Sequence, residues 1–329
     1  MSAQEVTFSE LSPGKVPTMV TPRASGVRLT EWAKANQDLI DDKLTSHGAL
    51  LFRGFSVTEE DFSPIVNLMC KDPLEYVYRS TPRTQVSANV YTATEYPPHH
   101  SIPFHNEEAY TIDWPMRLVF YCALPAEQGG ETPIADTVKV TSRIDPQIFE
   151  KCAKKKIMYV RNYGTGVDLS WQTVFQTDSK AGVEEFCREN KIEWEWKPDG
   201  CLKTWQVCQA VAEHPRTGQV IWFNQAHLFH VSSLDEKTRR AMLSSYKESE
   251  LPRNTYYGDG SPIEPEVLEH IRAAFRAESV ASPWQIHDVM LLDNMLVSHA
   301  RNPFKGKRRV LAGMGEAWSS VRRSLATAV

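Results

Sequence analysis

His105 and Glu107 stand two residues apart in the segment SIPFHNEEAY, residues 101–110. In an extended strand, residues i and i+2 point to the same face. An imidazole and a carboxylate could therefore meet at one point and share a metal ion. Of the ten histidines, only His105 is followed two positions later by an acid. The pair alone is weak, because a chain of this length produces such a match by chance. A second element lies at residues 291–314, LLDNMLVSHARNPFKGKRRVLAGM. An apolar run leads to His299, and after a loop a second strand-like run carries Arg309. Two histidines and one carboxylate make the facial triad of non-haem Fe(II) oxygenases, which leaves positions open for a co-substrate and O2. Taken singly, His105 and Glu107 could be surface or structural residues, and His299 a satisfied core histidine.

Arg309 strengthens the metal reading. Its alternation mates on the last strand are Leu311 and Gly313, an inward-looking set, which puts Arg308 on the outward face. A guanidinium turned inward is costly unless a carboxylate meets it, and its planar fork matches a carboxylate bidentately. Fe(II) and Arg309 together would balance Glu107 and a 2-oxoglutarate dianion. The bland alternative is a basic surface turn made by Lys305, Lys307, Arg308 and Arg309.

The elements that must position these residues can be read from the pattern. Residues 1–28 show no clear period and are expected to form an extended arm. Residues 30–46 have helical spacing, with Gly48 as the stop, and ALLFRGF at 49–55 has the apolar run of a buried strand. Thr58 and Asp61 resemble a capping box that opens the next helix. From residue 86 the texture changes to short β-rich runs: VSANVYT, RLVFYCAL, ETPIAD, IMYVRNY, IEWEW, CLKTWQV and QVIWFN. Turn chemistry separates them at Gly129–Gly130, residues 198–200 and residues 216–218. Helices are expected at about 137–155, 179–190, 234–249 and 264–278. Many short strands with inserted helices predict a mainly β fold, a jelly-roll double sheet. No Pro- or Gly-rich linker divides the chain, so residues 29–329 are expected to form one domain with helical insertions at about 137–155, 179–190 and 234–278.

In these residues the chain resembles the TauD/TfdA family of Fe(II)- and 2-oxoglutarate-dependent dioxygenases, most closely its SyrP-like branch of amino-acid oxygenases from natural-product pathways. The likeness is carried in order by FHNEEAY, PAEQGGETPIADT (125–137), WFNQAHLFH (222–230), LPRNTYYGDGSPIE (251–264) and the 291–314 segment. It implies a double-stranded β-helix (cupin-like) core, iron held by His105, Glu107 and His299, and Thr132 and Arg309 as the partners of 2-oxoglutarate. The implied reaction consumes 2-oxoglutarate and O2 and hydroxylates an unactivated C–H bond of an amino acid, free or tethered to a peptidyl carrier protein. Desaturation and epoxidation use the same ligands and stay open. Two departures stand out. Glu107 replaces the aspartate of most of the family, and position 313 is Gly where taurine enzymes carry a sulfonate-binding arginine, which argues against taurine. Halogenation would need the acid position vacated, and Glu107 fills it.

The segment at 79–98 matches the branch's strand and loop before the metal motif, so Arg79, Arg83 and Asn89 are candidate contacts for a substrate carboxylate. Either arginine could instead pair with a surface acid. His227 and His230 form HxxH without an acid at ligand spacing, which favours packing or substrate contact over a second metal. His99 and His100 suit a pocket rim. Trp222, Phe223 and Asn224 suit the core, and Asp293 could orient groups behind the distal histidine.

Composition excludes other classes. A formal net charge of -4 gives no electrostatic reason to expect nucleic acid or an anionic membrane as partner. No apolar run approaches a spanning helix. The first residues lack a signal-peptide core, and the six cysteines are scattered without a CxxC pair, so a reduced, cytoplasmic setting is expected. Two readings of another class compete: a non-catalytic binding protein that kept the fold, and a zinc hydrolase using the same three ligands. The latter gives an inward arginine no task.

Overall fold

The computed structural model describes residues 5–75, 84–87, 89–93, 96–164 and 166–320. Two sheets carry the candidate site. The larger has eight strands, and its centre is built from Ala49–Phe52, Val289–Asp293, Asp113–Leu124 and Arg309–Ser319, side by side in that order. The smaller has three: Ile102–His105, Val297–Arg301 and Ile134–Asp136. Strands Val289–Asp293 and Val297–Arg301 are close in sequence but lie in different sheets, so the turn between them carries the chain from one layer to the other. This gives the mainly β, jelly-roll type architecture expected from the pattern of short strands.

Burial explains the layering. Leu118, Phe120, Met290, Leu292, Val310, Ala312 and Met314 form one apolar layer between the sheets. The opposite face of the large sheet, with Val119, Tyr121, Leu291 and Leu311, packs on Trp32, Phe62, Ile65 and Val66 of the N-terminal helices. A four-stranded sheet formed by Ile157–Tyr163, Glu193–Trp196, Leu202–Cys208 and Arg253–Tyr257 packs with the inserted helices around a further apolar cluster. The strand segments expected at 157–163, 192–196 and 201–207 lie here, the last two each starting one residue later than expected.

Several helix boundaries follow local chemistry. Asp136 accepts from the backbone N–H of Val138 and Lys139 and caps Thr137–Arg143, while Asp145 accepts from Gln147 and caps Pro146–Lys155, with Pro in the first turn. The continuous helix expected at 137–155 is thus two. The helix expected at 30–46 is also two, Leu29–Ala35 and Gln37–His47, divided at Asn36, and Gly48 ends the second in a left-handed conformation. The backbone N–H of Thr58 donates to Asp61 before helix Phe62–Cys70, as a capping box does.

The extended arm expected at 1–28 is corrected. Val6–Ser12 and Lys15–Pro22 form an antiparallel hairpin whose second strand pairs in parallel with Ala49–Phe52. Val6, Val16 and Val20 are buried, but Pro17 and Thr18 are buried as well, so the second strand shows no clean alternation, and the prolines at 13, 17 and 22 further obscure strand character in the sequence.

Candidate metal centre

His105 and His299 are cross-strand partners in the small sheet, with ring centroids 4.2 Å apart. Ile134 pairs with His299 from the other side. Glu107 arrives differently from the strand alternation expected of it. The strand ends at His105, and Glu107 lies beyond it, held by its own backbone. Asn294 accepts from the Glu107 N–H at 2.7 Å and donates to the Glu107 carbonyl at 2.9 Å, so one side-chain amide closes a two-way pair with the residue. It also donates to Pro115 O, and Asn106 donates to the carbonyl of Asn294. This lock, rather than the pleat, brings the carboxylate round to the histidines. Glu107 Oε2 and His299 Nε2 are 3.9 Å apart.

One ligand atom from each of His105, Glu107 and His299 lies within 4.8 Å of the others, the only such cluster of three among the described residues. Two imidazole nitrogens and one carboxylate oxygen are the donor set of a facial triad, and a single ion about 2.0–2.2 Å from each would draw them slightly closer. The residues fit Fe(II). Glu107 and His299 are 4% and 6% exposed, so an unmetallated carboxylate here would sit largely out of water. The Nδ1 of His105 is 2.9 Å from Pro103 O. A carbonyl only accepts, so Nδ1 carries the proton and Nε2 keeps its lone pair for a metal.

Beside the cluster is a cavity of about 410 Å³ that includes open solvent at its mouth, lined by His105, His299, Phe120, Thr132, Arg301 and Arg308 among others. Arg309 is not in it. Its guanidinium is exposed and meets Glu59 at 2.6 Å on the outer surface. The register shifts between Arg309 and Val310 as this strand pairs with Asp113–Leu124, and beyond the shift Leu311 and Gly313 face the N-terminal helices. A Cβ on Gly313 would approach Val66 Cγ2 to 2.5 Å. The inward set is Arg308, Val310, Ala312 and Met314, so the assignment of Arg309 to the cavity is corrected to Arg308. Within this strand it is likewise Ala312, not Gly313, that lines this cavity.

Arg308 is well placed for an anion. Nε donates to Gly130 O at 2.8 Å and Nη2 to Thr132 Oγ1 at 3.4 Å. The left-handed pair Gly129 and Gly130 makes room: a Cβ at 129 would strike Pro303 O, and one at 130 would press on Arg308 Cδ. Burial, then the nearby charge of Arg301, pushes the Arg308 pKa down to about 10, so it remains a cation at neutral pH. Thr132 Oγ1 also accepts from Trp284 Nε1 at 3.1 Å. With two N–H groups aimed at the oxygen, the hydroxyl proton is left to donate to an acceptor in the cavity.

The remaining candidates are sorted by the same geometry. Arg79 and Arg83 lie outside the described residues. Asn89 is half-buried in the turn between Gln85–Ser87 and Val90–Thr92 and does not line the cavity. His227 is fully enclosed, donates from Nε2 to Phe104 O, and stacks on Phe275. Burial lowers its pKa to about 4, so it is a neutral support for the strand that ends in His105. His230 is also held near 4 by burial, and its Nδ1 accepts from Ser232 N. Trp222, Phe223 and Asn224 are buried. His99 and His100 are exposed and do not line the cavity, although the His100 carbonyl accepts from Arg301, which does. Asp293 accepts from the N–H groups of Met295 and Leu296 and meets His214 Nε2 at 3.0 Å, so it builds the turn that presents Asn294.

Asn294, Arg308, Trp284 and Arg301 were not singled out in the sequence. Only Arg308, one place from the arginine that strand alternation favours, has a usable signal there. Asn294→Ala is expected to lower Fe(II) affinity about 10- to 100-fold, the usual effect of losing a residue that orients a ligand. Metal titration of folded protein checks this, with circular dichroism as the control.

Comparison with known proteins agrees with this geometry. The family model "Taurine catabolism dioxygenase TauD, TfdA family" matches residues 10–314. The chain is 44% identical over 294 residues to the dapdiamide synthesis protein DdaC of Enterobacter agglomerans, covering 89% of each chain. It is 32% identical over 322 residues to a clavaminate synthase-like protein of Arabidopsis thaliana, covering 91% of this chain and 93% of the relative. Among solved structures, PvcB from Pseudomonas aeruginosa superposes with a TM-score of 0.55 at 17% identity, over 95% of this chain and 92% of that one. At that identity the likeness speaks for the fold. The chain belongs to the TauD/TfdA family, and is an Fe(II)- and 2-oxoglutarate-dependent dioxygenase.

Proposed function

We propose that this enzyme hydroxylates an unactivated C–H bond of an amino acid, free or tethered to a peptidyl carrier protein, in the biosynthesis of a natural product. In this reading His105, Glu107 and His299 hold Fe(II), while Arg308 and Thr132 hold the distal carboxylate of 2-oxoglutarate. The observation that carries it is the convergence of the three ligand side chains beside a cavity with a buried guanidinium and a hydroxyl free to donate. The 44% identity to a protein of dapdiamide synthesis supports a biosynthetic substrate.

When bound, Fe(II) with 2-oxoglutarate and O2 supplies the oxidising power, and 2-oxoglutarate leaves as succinate and CO2. The protein's part is binding, orientation and shielding. Pro103 O fixes the His105 tautomer, and Phe120 packs its ring 5.2 Å from that of His299. Asn294 keeps Glu107 from swinging to solvent. Arg308 and Thr132 set the keto acid's far end, which determines where its near end falls. The apolar walls of Ile102, Phe120 and Ala312 keep bulk water from the reacting centre.

The test is succinate release by Fe(II)-loaded enzyme with 2-oxoglutarate and O2, screened over amino acids, free and carrier-thioester-linked. One substrate should raise succinate release well above the substrate-free rate and give a product 16 Da heavier. Turnover that persists without Fe(II), or a panel in which every amino acid leaves the rate unchanged, would overturn the reading.

A further inference from the structure

His105 sits on an edge. Among the described residues its strand, Ile102–His105, pairs only with Val297–Arg301, so the outer side of its backbone has no strand to bond. A ligand carried there is held on one flank only, unless other groups take up the outer carbonyls. Gln225 and the short helix that follows it, Ala226–Phe229, supply those groups. His227 Nε2 donates to Phe104 O at 2.8 Å, and Gln225 Nε2 donates to Asn106 O at 2.6 Å. The two bonds bracket His105, one residue before it and one after. Both donors are buried. Phe275 stacks on the rings of Phe104 and His227, with centroids 5.8 and 4.8 Å away. The other ring nitrogen of His227, Nδ1, has no hydrogen-bond partner among the described residues, so Nε2 carries the polar task of this side chain.

The turn that carries these donors is anchored in turn by three inserted elements. Tyr159 Oη accepts from the Gln225 N–H at 2.7 Å, and Thr255 Oγ1 donates to Ala226 O at 3.2 Å. Arg272 donates to His227 O from Nε at 3.1 Å and from Nη2 at 2.9 Å. These three residues lie on Ile157–Tyr163, Arg253–Tyr257 and helix Pro265–Glu278. None of them lines the cavity beside the triad. We propose that Gln225 and His227 are positioning residues for the metal: they clamp the backbone on either side of His105 to the inserted sheet and helix, and so fix its imidazole against Glu107 and His299. This rests on the metal assignment given above and adds to it a task for the insertion. It also gives the HxxH motif at 227–230 a role, since its first histidine serves the triad from behind. Asn294 grips the same segment from the other side, at Glu107. The two ligands that lie close in sequence are therefore held by separate clamps.

The experiment titrates full-length, metal-free protein with Fe(II) anaerobically and reads the heat of binding. His227→Phe keeps the ring that stacks on Phe275 and removes the Nε2 donor together with the unpartnered Nδ1. Gln225→Met keeps the length and removes the other donor. Each is expected to weaken Fe(II) binding about tenfold, while the metal-free variant melts within about 5 °C of the unmutated protein. Val183→Ala, on helix Lys180–Glu189 in the same apolar cluster, should do the reverse. It should lower the melting temperature and leave Fe(II) affinity within about twofold. A second measurement needs no variant. Because coupling is reciprocal, Fe(II) binding to unmutated protein should slow amide hydrogen exchange in 225–230, a segment without a ligand, by about threefold or more. Fe(II) affinity that stays within about twofold in both His227→Phe and Gln225→Met overturns the proposal. So does a loss no larger than Val183→Ala produces, or exchange in 225–230 that Fe(II) leaves unchanged. Unmutated protein that binds no Fe(II) overturns the metal assignment and this inference with it, whereas tight binding indifferent to both substitutions overturns this inference alone.

Discussion

Replacing Arg308 by methionine is expected to weaken 2-oxoglutarate binding by roughly 10²- to 10³-fold, whereas the same change at Arg309 should leave it within about twofold. Methionine keeps much of the length and loses the charge. At 308 it removes one member of a buried, charge-assisted pair, a loss of about 3–4 kcal/mol. At 309 it removes an exposed ion pair to Glu59, and such pairs contribute about 0–1 kcal/mol to stability and nothing to the cavity. Anaerobic titration of Fe(II)-loaded protein with 2-oxoglutarate, read from the visible band, decides between the two positions. A collapse of affinity in Arg309→Met with Arg308→Met unaffected would restore the assignment read from strand alternation. It would also require a different strand register near residue 309.

Glu107→Ala is expected to cost on the order of 10³-fold in Fe(II) affinity, since it removes one of the three ligands proposed for the metal. Substrate-dependent succinate release should fall to background. Both histidines remain, so residual weak metal binding is expected at high Fe(II) concentration. Glu107→Asp is the finer probe. A shorter carboxylate would reach the ion only if the backbone moved inward, and Asn294 holds that backbone through both its N–H and its C=O. Aspartate, common elsewhere in the family, should therefore bind metal less well than glutamate in this chain. Turnover unchanged in Glu107→Ala would remove Glu107 from the metal assignment.

Much of this site was legible in the sequence for a physical reason: its parts are encoded locally. The HxE spacing, an isolated histidine after an apolar run and the GGET turn are short-range patterns, and the fold brings them together. Three features were not legible. The hairpin at 6–22 lacks a clean alternation and is interrupted by prolines, and its partner, Ala49–Phe52, lies far along the chain. Asn294 is a polar residue after an apolar strand and looks like a turn former, and only the folded chain reveals that its amide faces Glu107, 187 residues earlier. Strand alternation points to Arg309 rather than Arg308 because Leu311 and Gly313 form a face that looks inward by composition. That face is buried, but against helix Phe62–Cys70 rather than against the metal centre. A sheet covered on both sides offers two apolar faces, and periodicity alone does not tell which one holds the chemistry.

The register shift at Arg309 also makes chain length a control on charge. Between Asn302 and Val310 the backbone leaves one sheet and enters another, and the parity of that passage decides which of two adjacent guanidiniums is delivered to the interior. Inserting or deleting one residue there would rotate the delivery by one place and present Lys307 or Arg309 instead, with a different reach and a different grip on a carboxylate. The length of this connection therefore matters to the interior charge as much as the identity of the residue delivered, although the loop itself, at Lys305–Lys307, is open to solvent.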